Sequence, residues 1–482
     1  MDLTTLLERI AYRRTEGGEG SMTQEILDVI TAPQADARGT LYVCVNTPLS
    51  RGRTGMEAAY ACGCRAFLCD HDAFPGPDAT VLVCPDPEQV LGEIAARVHG
   101  YPAHHLTVLG VSGTAGKSSV CHMLRRLLVQ TGKRVGTITS DGVWCDGAHA
   151  PCTPIVPNAA DLQRTLAKML ANGIEIALLE LSSYQLLHHA AAGMDLLAVA
   201  ITNFAPRHIG NGEHVSLSEY RAAKQHLLDC GAPFSVLPVD APFRGCGRVL
   251  TFGECGQFFA RDVEHDVDAA QGFVTRFLLC EQEKSVPVML PLLGEIHLEN
   301  ALICAALARA VGLTLPQIAE GLSGVRVPGR MECVLFDRGR AVYLDSAFSP
   351  EDLQVALKAL GSRCEGRLCV LLGSVGGRAR HRRAPLGQVT SAYADFVYLT
   401  ADDPDTEDPT SICREMQAGM QEPARSVIIA DRQEAILRAV REMRPGDVLL
   451  IAGKGELGDQ LIAGKRELFC EREIVAKAAK DP

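Results

Sequence analysis

Between residues 106 and 452 the chain returns repeatedly to one pattern: a short run that is apolar at nearly every position, closed by a turn. LTVLGVS from Leu106, then 134–140, 174–181 and 196–203, form one series with helical patterns between several members. Runs 367–372, 396–400, 426–430 and 447–452 form another. A strand that is apolar on both faces must be covered on both faces, so each series predicts a parallel sheet with helices above and below it. At 482 residues the chain is too long for one core. The patterning divides it into three α/β domains. Residues 1–102, with short strands 41–45, 66–69 and 80–84 among Pro- and Gly-rich turns, form a small N-terminal domain. Residues 103–327 form a central domain with a P-loop parallel sheet. Residues 328–482 form a doubly wound, Rossmann-like domain.

The first central strand runs into Gly110-Val-Ser-Gly113-Thr114-Ala115-Gly116-Lys117-Ser118-Ser119, and a helical stretch follows to Gln130. Glycines let backbone N–H groups wrap phosphate oxygens, a helix N-terminus favours negative charge, and Lys117 would neutralise the terminal phosphates. Ser118 is placed to hold Mg²⁺ through its hydroxyl. The spacing departs from the usual phosphate loop, since Gly110 lies one residue too far from Gly116. The plainer alternative is a Gly-rich turn that binds nothing. Glu180 ends the apolar run IALLE, where a carboxylate needs a cation or hydrogen bonds to offset its desolvation, or else simply emerges into water. Asn203 ends the next run and His208 follows it; alone, a histidine is more often structural. In SLSEYRAAKQHLL, Leu217, Tyr220, Lys224 and Leu227 share one helical stripe. Lys224 either reaches back to water or is held inward to work.

Composition excludes several classes. A net charge of −11 argues against a nucleic-acid surface. No apolar run approaches 18 residues, so no membrane partner is expected, and MDLTTLLERIAYRR reads as an amphipathic helix with no signal peptide evident. Of the 18 cysteines, Cys62, Cys64 and Cys69 cluster, but no second pair completes a zinc set. Free thiols in a reducing cytoplasm follow.

These residues resemble the Mur ligases of peptidoglycan synthesis, most closely the MurE type, the UDP-N-acetylmuramoyl-tripeptide synthetases. The resemblance extends over nearly the whole chain. The family's GTxGK[ST] loop corresponds to Gly113–Ser118, its EVSS to Glu180-Leu-Ser182-Ser183, its TN…H to Thr202, Asn203 and His208, and its YxAAK to Tyr220–Lys224. Further on, Asn300 in GEIHLENA, Arg330 in Gly329-Arg-Met-Glu332, and Asp345 in DSAFSPEDL match positions that handle adenine, ribose and phosphates. The resemblance implies a monomeric ligase that uses ATP and Mg²⁺. It activates a carboxylate, such as a UDP-MurNAc-dipeptide, as an acyl phosphate and couples it to an amino acid brought by the C-terminal domain. It also implies that Lys224 is carbamylated and, with His208, holds a second Mg²⁺ beside the one at Ser118 and Glu180.

The departures fall on substrate-reading positions. The family's DSR reads Ala32-Pro33-Gln34, TTP reads Ile155-Val156-Pro157, and the arginine after EVSS aligns with Ala190. DNPR reads Asp402-Asp403-Pro404-Asp405, the arginine of GGDRD is Ala379 between Arg378 and Arg380, and GKGHE reads Gly453-Lys454-Gly455-Glu456-Leu457. Asp405 would repel the distal carboxylate of meso-diaminopimelate and favour an ammonium, so lysine or ornithine is the expected amine. The plainer alternative makes Asp405 the cap of the following helix. Two other functions stay open: a ligase redirected to another carboxylate acceptor, and a nucleotide-binding pseudoenzyme acting as a partner.

Overall fold

The structure, a computed structural model, describes residues 1–15, 20–45, 52–150, 156–206, 209–210, 213–268 and 271–480. It falls into two compact units, Met1–Phe259 with Leu302–Leu315, and Ala260–Ala301 with Pro316–Pro482.

In the first unit the N-terminal strands form a five-stranded sheet in the order Arg13–Arg14, Thr80–Val83, Ala66–Cys69, Thr40–Val43, Asp28–Ile30. All pair in parallel except the first. The amphipathic helix expected at the start shrinks to Leu3–Leu6, capped by Asp2. That single turn, with Leu7, already buries the apolar residues, and Arg13–Arg14 instead extend the sheet against Val83 and Leu82. This sheet docks on the helix Ala159–Ala171. Asn158 Nδ2 donates to Thr31 Oγ1 at 2.7 Å, and Arg164 Nε donates to Asp28 Oδ2 at 2.7 Å.

Burial works to raise the pKa of Asp28, but hydrogen bonds from His99 and Arg164 outweigh it and hold it at about 2. A depressed carboxylate pKa stabilises the fold above its unfolded value, and that contribution is lost as pH falls toward 2. Arg164→Ala should therefore cost ~1–3 kcal/mol near neutrality. The gap from the parent should narrow on acidification, read by thermal unfolding across pH. A gap independent of pH would contradict the assignment.

The central sheet of this unit runs Arg248–Phe252, Phe234–Pro238, Leu196–Ile201, Thr107–Ser112, Ile176–Glu180, Val135–Thr139. These strands are parallel, as expected, and an antiparallel hairpin, Gly142–Cys145 with Ala148–Ala150, extends it. The register places Glu180 beside Val111 and Ile201 beside Ser112. Three adjacent strands thus end level with one another, and everything that leaves them emerges at one edge.

In the second unit, Gly272–Glu281 and Lys284–Leu290 pair antiparallel. The apolar-run pattern did not anticipate this hairpin. Its first strand is largely buried, with Arg276 the one exposed residue, whereas Lys284, Ser285 and Pro287 of the second are exposed, so charged and polar positions break the apolar run. The C-terminal sheet runs Glu332–Asp337, Arg340–Asp345, Val448–Ala452, Leu368–Leu372, Phe396–Leu399, Ser426–Ile428, parallel except for the first strand. Separate apolar cores, one around Leu353 and Leu386 and one around Ile436 and Val475, cover its faces. That is the doubly wound arrangement expected. Among the described residues no helix is long and apolar enough to cross a membrane.

Candidate active site

The loop after the 107–112 strand is held by side chains from its neighbour. Asn203 Oδ1 accepts from the backbone N–H of Thr114 (3.1 Å) and Ala115 (2.9 Å), and its Nδ2 donates to Ala115 O at 3.1 Å. Thr114 Oγ1 lies 2.9 Å from the Tyr220 hydroxyl. Gly113 has φ +151°, and a Cβ there would meet Thr202 Oγ1 at 1.9 Å, so only glycine lets the loop pass. Gly116, at φ +83°, opens the helix Lys117–Gln130, where Ser118 and Ser119 are buried in the first turn. Lys117 Nζ donates to Gly113 O and Thr114 O, both at 3.3 Å. These long contacts fold the lysine over the loop.

Ser118 Oγ donates to Glu180 Oε2 at 2.7 Å, and the same oxygen accepts from Ser140 N–H at 3.0 Å. Ser140 Oγ lies 3.2 Å from Ser118 Oγ. Glu180 therefore does not simply emerge into solvent. Two hydroxyls and one carboxylate gather beside a phosphate loop, the hard-oxygen set that suits Mg²⁺ when substrate phosphates complete it. No group of three or more His, Cys, Asp or Glu suited to a metal occurs among the described residues.

Lys224 does not reach back to water. In the helix Leu217–Leu228, Tyr220, Lys224 and Leu227 are fully buried, while Leu217 is exposed. Among the described residues Lys224 Nζ finds no hydrogen-bond partner, and it lies 4.6 Å from the Tyr220 ring centroid. Burial, and secondarily the charge of Lys117, pull its pKa down to about 7. His208 and Ile155 lie outside the described residues. The structure instead brings in His214, which sequence reasoning passed over. It is buried, with Nε2 2.9 Å from Ser183 Oγ and Nδ1 3.4 Å from Glu219. Nothing in its spacing marked it, because its partners come from other elements. Ser182 caps the helix Ser183–Leu187 in a reciprocal box with Gln185. Ala190 is buried.

The second unit holds two further groups. Asn300 is buried with Nδ2 unpartnered, and nearby His297 is pushed down to about 4 by burial and by Arg330. Asp345 ends its strand and accepts from Met331 N–H (2.6 Å) and Ala347 N–H (2.8 Å). Burial raises its pKa, opposed by Arg330 and these two bonds.

The second group lies at the carboxyl ends of the 396–399 and 448–452 strands, where open α/β sheets bind ligands. Lys454 is buried and donates to Asp403 Oδ1 at 2.6 Å, with Asp402 Oδ1 at 3.5 Å. Gly453, at φ +111°, brings the backbone against Asp402. Asp405 does not cap the following helix; Asp408 caps Pro409–Ala418. Asp405 instead accepts from Gly464 N–H at 2.8 Å, with φ +51°. Glu456 pairs with Arg472 at 3.3 Å, which also grips Glu332 at 2.7 Å.

Fold and arrangement define an α/β protein organised around a glycine-rich loop between a parallel strand and the helix Lys117–Gln130. The sequence matches the Mur ligase middle domain over residues 111–308 and the Mur ligase, glutamate ligase domain over residues 329–455. It is 35% identical over 437 residues to a UDP-N-acetylmuramyl-tripeptide synthetase of Deinococcus radiodurans, covering 86% of this chain and 87% of that one. It is 30% identical over 444 residues to a UDP-N-acetylmuramoyl-L-alanyl-D-glutamate--2,6-diaminopimelate ligase of Caldanaerobacter subterraneus subsp. tengcongensis, covering 90% and 91%. A solved structure of a ligase of that same title superposes with a TM-score of 0.70 at 25% identity, over 100% of this chain and 99% of the other. The chain belongs to the Mur ligase family of enzymes.

Proposed function

We propose that this enzyme is a MurE-type ligase that uses ATP to join an amino acid to UDP-MurNAc-L-Ala-D-Glu. The observation that carries the reading is Lys224: a fully buried, unpartnered amine on the helix whose Tyr220 touches the phosphate loop. An uncompensated buried lysine is costly, and it persists where its chemistry is used. Conversion to a carbamate would turn it into an anion. Ser118, Glu180, His208 and the Lys224 carbamate would hold Mg²⁺, which supplies charge neutralisation for the phosphates. The substrate carboxylate attacks the γ-phosphate of ATP, breaking the bond to the β-phosphate and releasing ADP. Lys117 and the loop N–H groups spread the developing charge. The amine then attacks the acyl carbon and phosphate leaves. Asn300, Arg330 and Asp345 are assigned to the nucleotide, and Ser182 and Ser183 to the acceptor. We place the enzyme in the cytoplasm as a monomer in three domains, with no nucleic-acid or membrane partner.

The amine is read from the second unit. Asp402 and Asp403 set two carboxylates against the single ammonium of Lys454, and Asp405 follows in the same loop, an excess of negative charge that favours a lysine- or ornithine-like ammonium over diaminopimelate. Gly453 and Glu456 flank the same loops. Asp405→Asn keeps the acceptor for Gly464 N–H and the left-handed backbone but removes the charge. It should raise KM for a basic amino acid by roughly tenfold and leave KM for ATP unchanged. An unchanged preference would remove Asp405 from the site.

The testing experiment is phosphate release from ATP and Mg²⁺ with UDP-MurNAc-L-Ala-D-Glu and a panel of amino acids. Release that requires both the nucleotide and one amine supports the reading. A ligase redirected to another acceptor is favoured by Ala32-Pro33-Gln34 and by the apolar burial of Ala190, and it would stay silent here yet release phosphate with other carboxylates. Nucleotide binding without turnover under any acceptor would leave the pseudoenzyme.

A further inference from the structure

A serine, a histidine and a glutamate meet end to end close to the glycine-rich loop. Ser183 opens the helix Ser183–Leu187, which leaves the sheet at the edge where Glu180 ends its strand. His214 lies in the loop ahead of the helix Leu217–Leu228, and Glu219 sits in that helix's first turn. Ser183 Oγ is 2.9 Å from His214 Nε2, and His214 Nδ1 faces Glu219 Oε2 at 3.4 Å. The carboxylate is itself held, because the same oxygen accepts from Val215 N–H at 2.8 Å. Ser183 and His214 are buried, so bulk water is a poor proton carrier beside them.

The order of the groups fixes where the protons sit. A carboxylate opposite Nδ1 favours the tautomer with hydrogen on that nitrogen, which leaves Nε2 to accept from the Ser183 hydroxyl. A serine that donates to an oriented imidazole has oxygen lone pairs left to take a proton from something else. A bond that merely tied the 213–216 loop to the Ser183–Leu187 helix would need no carboxylate on the far nitrogen. Tyr220 connects this chain to the rest of the site. Its ring lies 5.2 Å from that of His214 and 4.6 Å from Lys224 Nζ, and its hydroxyl is 2.9 Å from Thr114 Oγ1. Amide formation needs a group to take the proton that the amine sheds. Lys117, a cation, and Lys224, a metal ligand once carbamylated, are both committed elsewhere in the proposed reaction.

We propose, resting on that acyl-phosphate reaction, that Ser183, His214 and Glu219 are its proton relay. The neutral amine nitrogen bonds to the acyl carbon, and the carbon–oxygen bond to phosphate breaks, its electron pair leaving with phosphate. The proton shed by nitrogen passes to Ser183 Oγ while the serine's own proton passes to His214 Nε2, and Glu219 stabilises the imidazolium. The test gives the full-length protein ATP, Mg²⁺ and UDP-MurNAc-L-Ala-D-Glu, with either the best amino acid of the panel or hydroxylamine. Hydroxylamine is a weakly basic nucleophile that captures acyl phosphates without a base to take its proton. His214→Asn should lower amide formation by roughly a hundredfold and hydroxamate formation by less than about threefold. Glu219→Gln, a milder change that keeps an acceptor for Val215 N–H, should lose roughly tenfold in amide formation alone. Equal losses with both nucleophiles, or no loss with either, overturn the relay and leave the ligase reading standing. A parent that forms neither amide nor hydroxamate overturns both.

Discussion

Replacing Lys117 by methionine should lower phosphate release by about three orders of magnitude, with the fold retained. The lysine makes only two 3.3 Å contacts, both to carbonyls of its own loop, so little structure depends on it. The loop itself is fixed by Asn203, Thr202 and Tyr220. Under the proposed function, what the substitution removes is the positive charge at the migrating phosphoryl group, where catalysis is mostly electrostatic. Single-turnover phosphate release at saturating ATP separates this from weakened binding, and the thermal midpoint reports the fold. A rate within roughly tenfold of the parent would mean that the loop positions something other than the reacting phosphate.

Lys224→Ala should abolish amide formation while ATP still binds, because among the described residues the loop is held by Asn203, Thr202 and Tyr220 and takes no hydrogen bond from the lysine. Carbon dioxide reacts with a neutral amine, and a pKa of about 7 leaves most of Lys224 neutral under mildly alkaline conditions. Activity should therefore fall as pH drops below about 7 and rise with added bicarbonate. Intact-protein mass should show one added carbon dioxide on the parent and none on the variant. Short-chain carboxylic acids should partly restore Lys224→Ala, since they can enter the space left by the side chain. Full activity of the variant, or indifference to bicarbonate with no added mass, would show that the buried amine is structural.

In unfolded chains Lys224 would titrate near the ordinary lysine value, so in the uncarbamylated protein its depressed pKa makes stability rise with pH above about 7. Stability and activity thus respond in the same direction, and the bicarbonate dependence and the added mass separate them.

The strand–loop–helix at 107–130 was legible because its glycines, lysine and serines are contiguous and follow an apolar run, so local chemistry and local order coincide. The parallel sheets were legible for a related reason: a strand covered on both faces writes its burial into every residue. In the hairpin 272–290, Arg276 and the charged 281–284 turn interrupt the apolar run, and at the N-terminus a single turn with Leu7 already buries Leu3 and Leu6, so no longer helix is needed. The inward stripe of Tyr220, Lys224 and Leu227 could be read, but not whether the ammonium escaped to water. Helical periodicity gives a direction, whereas the depth of packing above that face belongs to other segments.

The sequence by itself determined the α/β class, the phosphate loop and the identity of the residues around it. Tertiary structure decided which partners those residues meet. It brought Glu180 to Ser118 and Ser140, turned His214 toward Ser183, and set Asp405 on the backbone N–H of Gly464 in the 459–468 hairpin. The reason is range. Backbone preferences and burial patterns act over a few residues of chain, but hydrogen bonds and charge balance act through space, between segments 31 to 62 positions apart in the cases that matter most here.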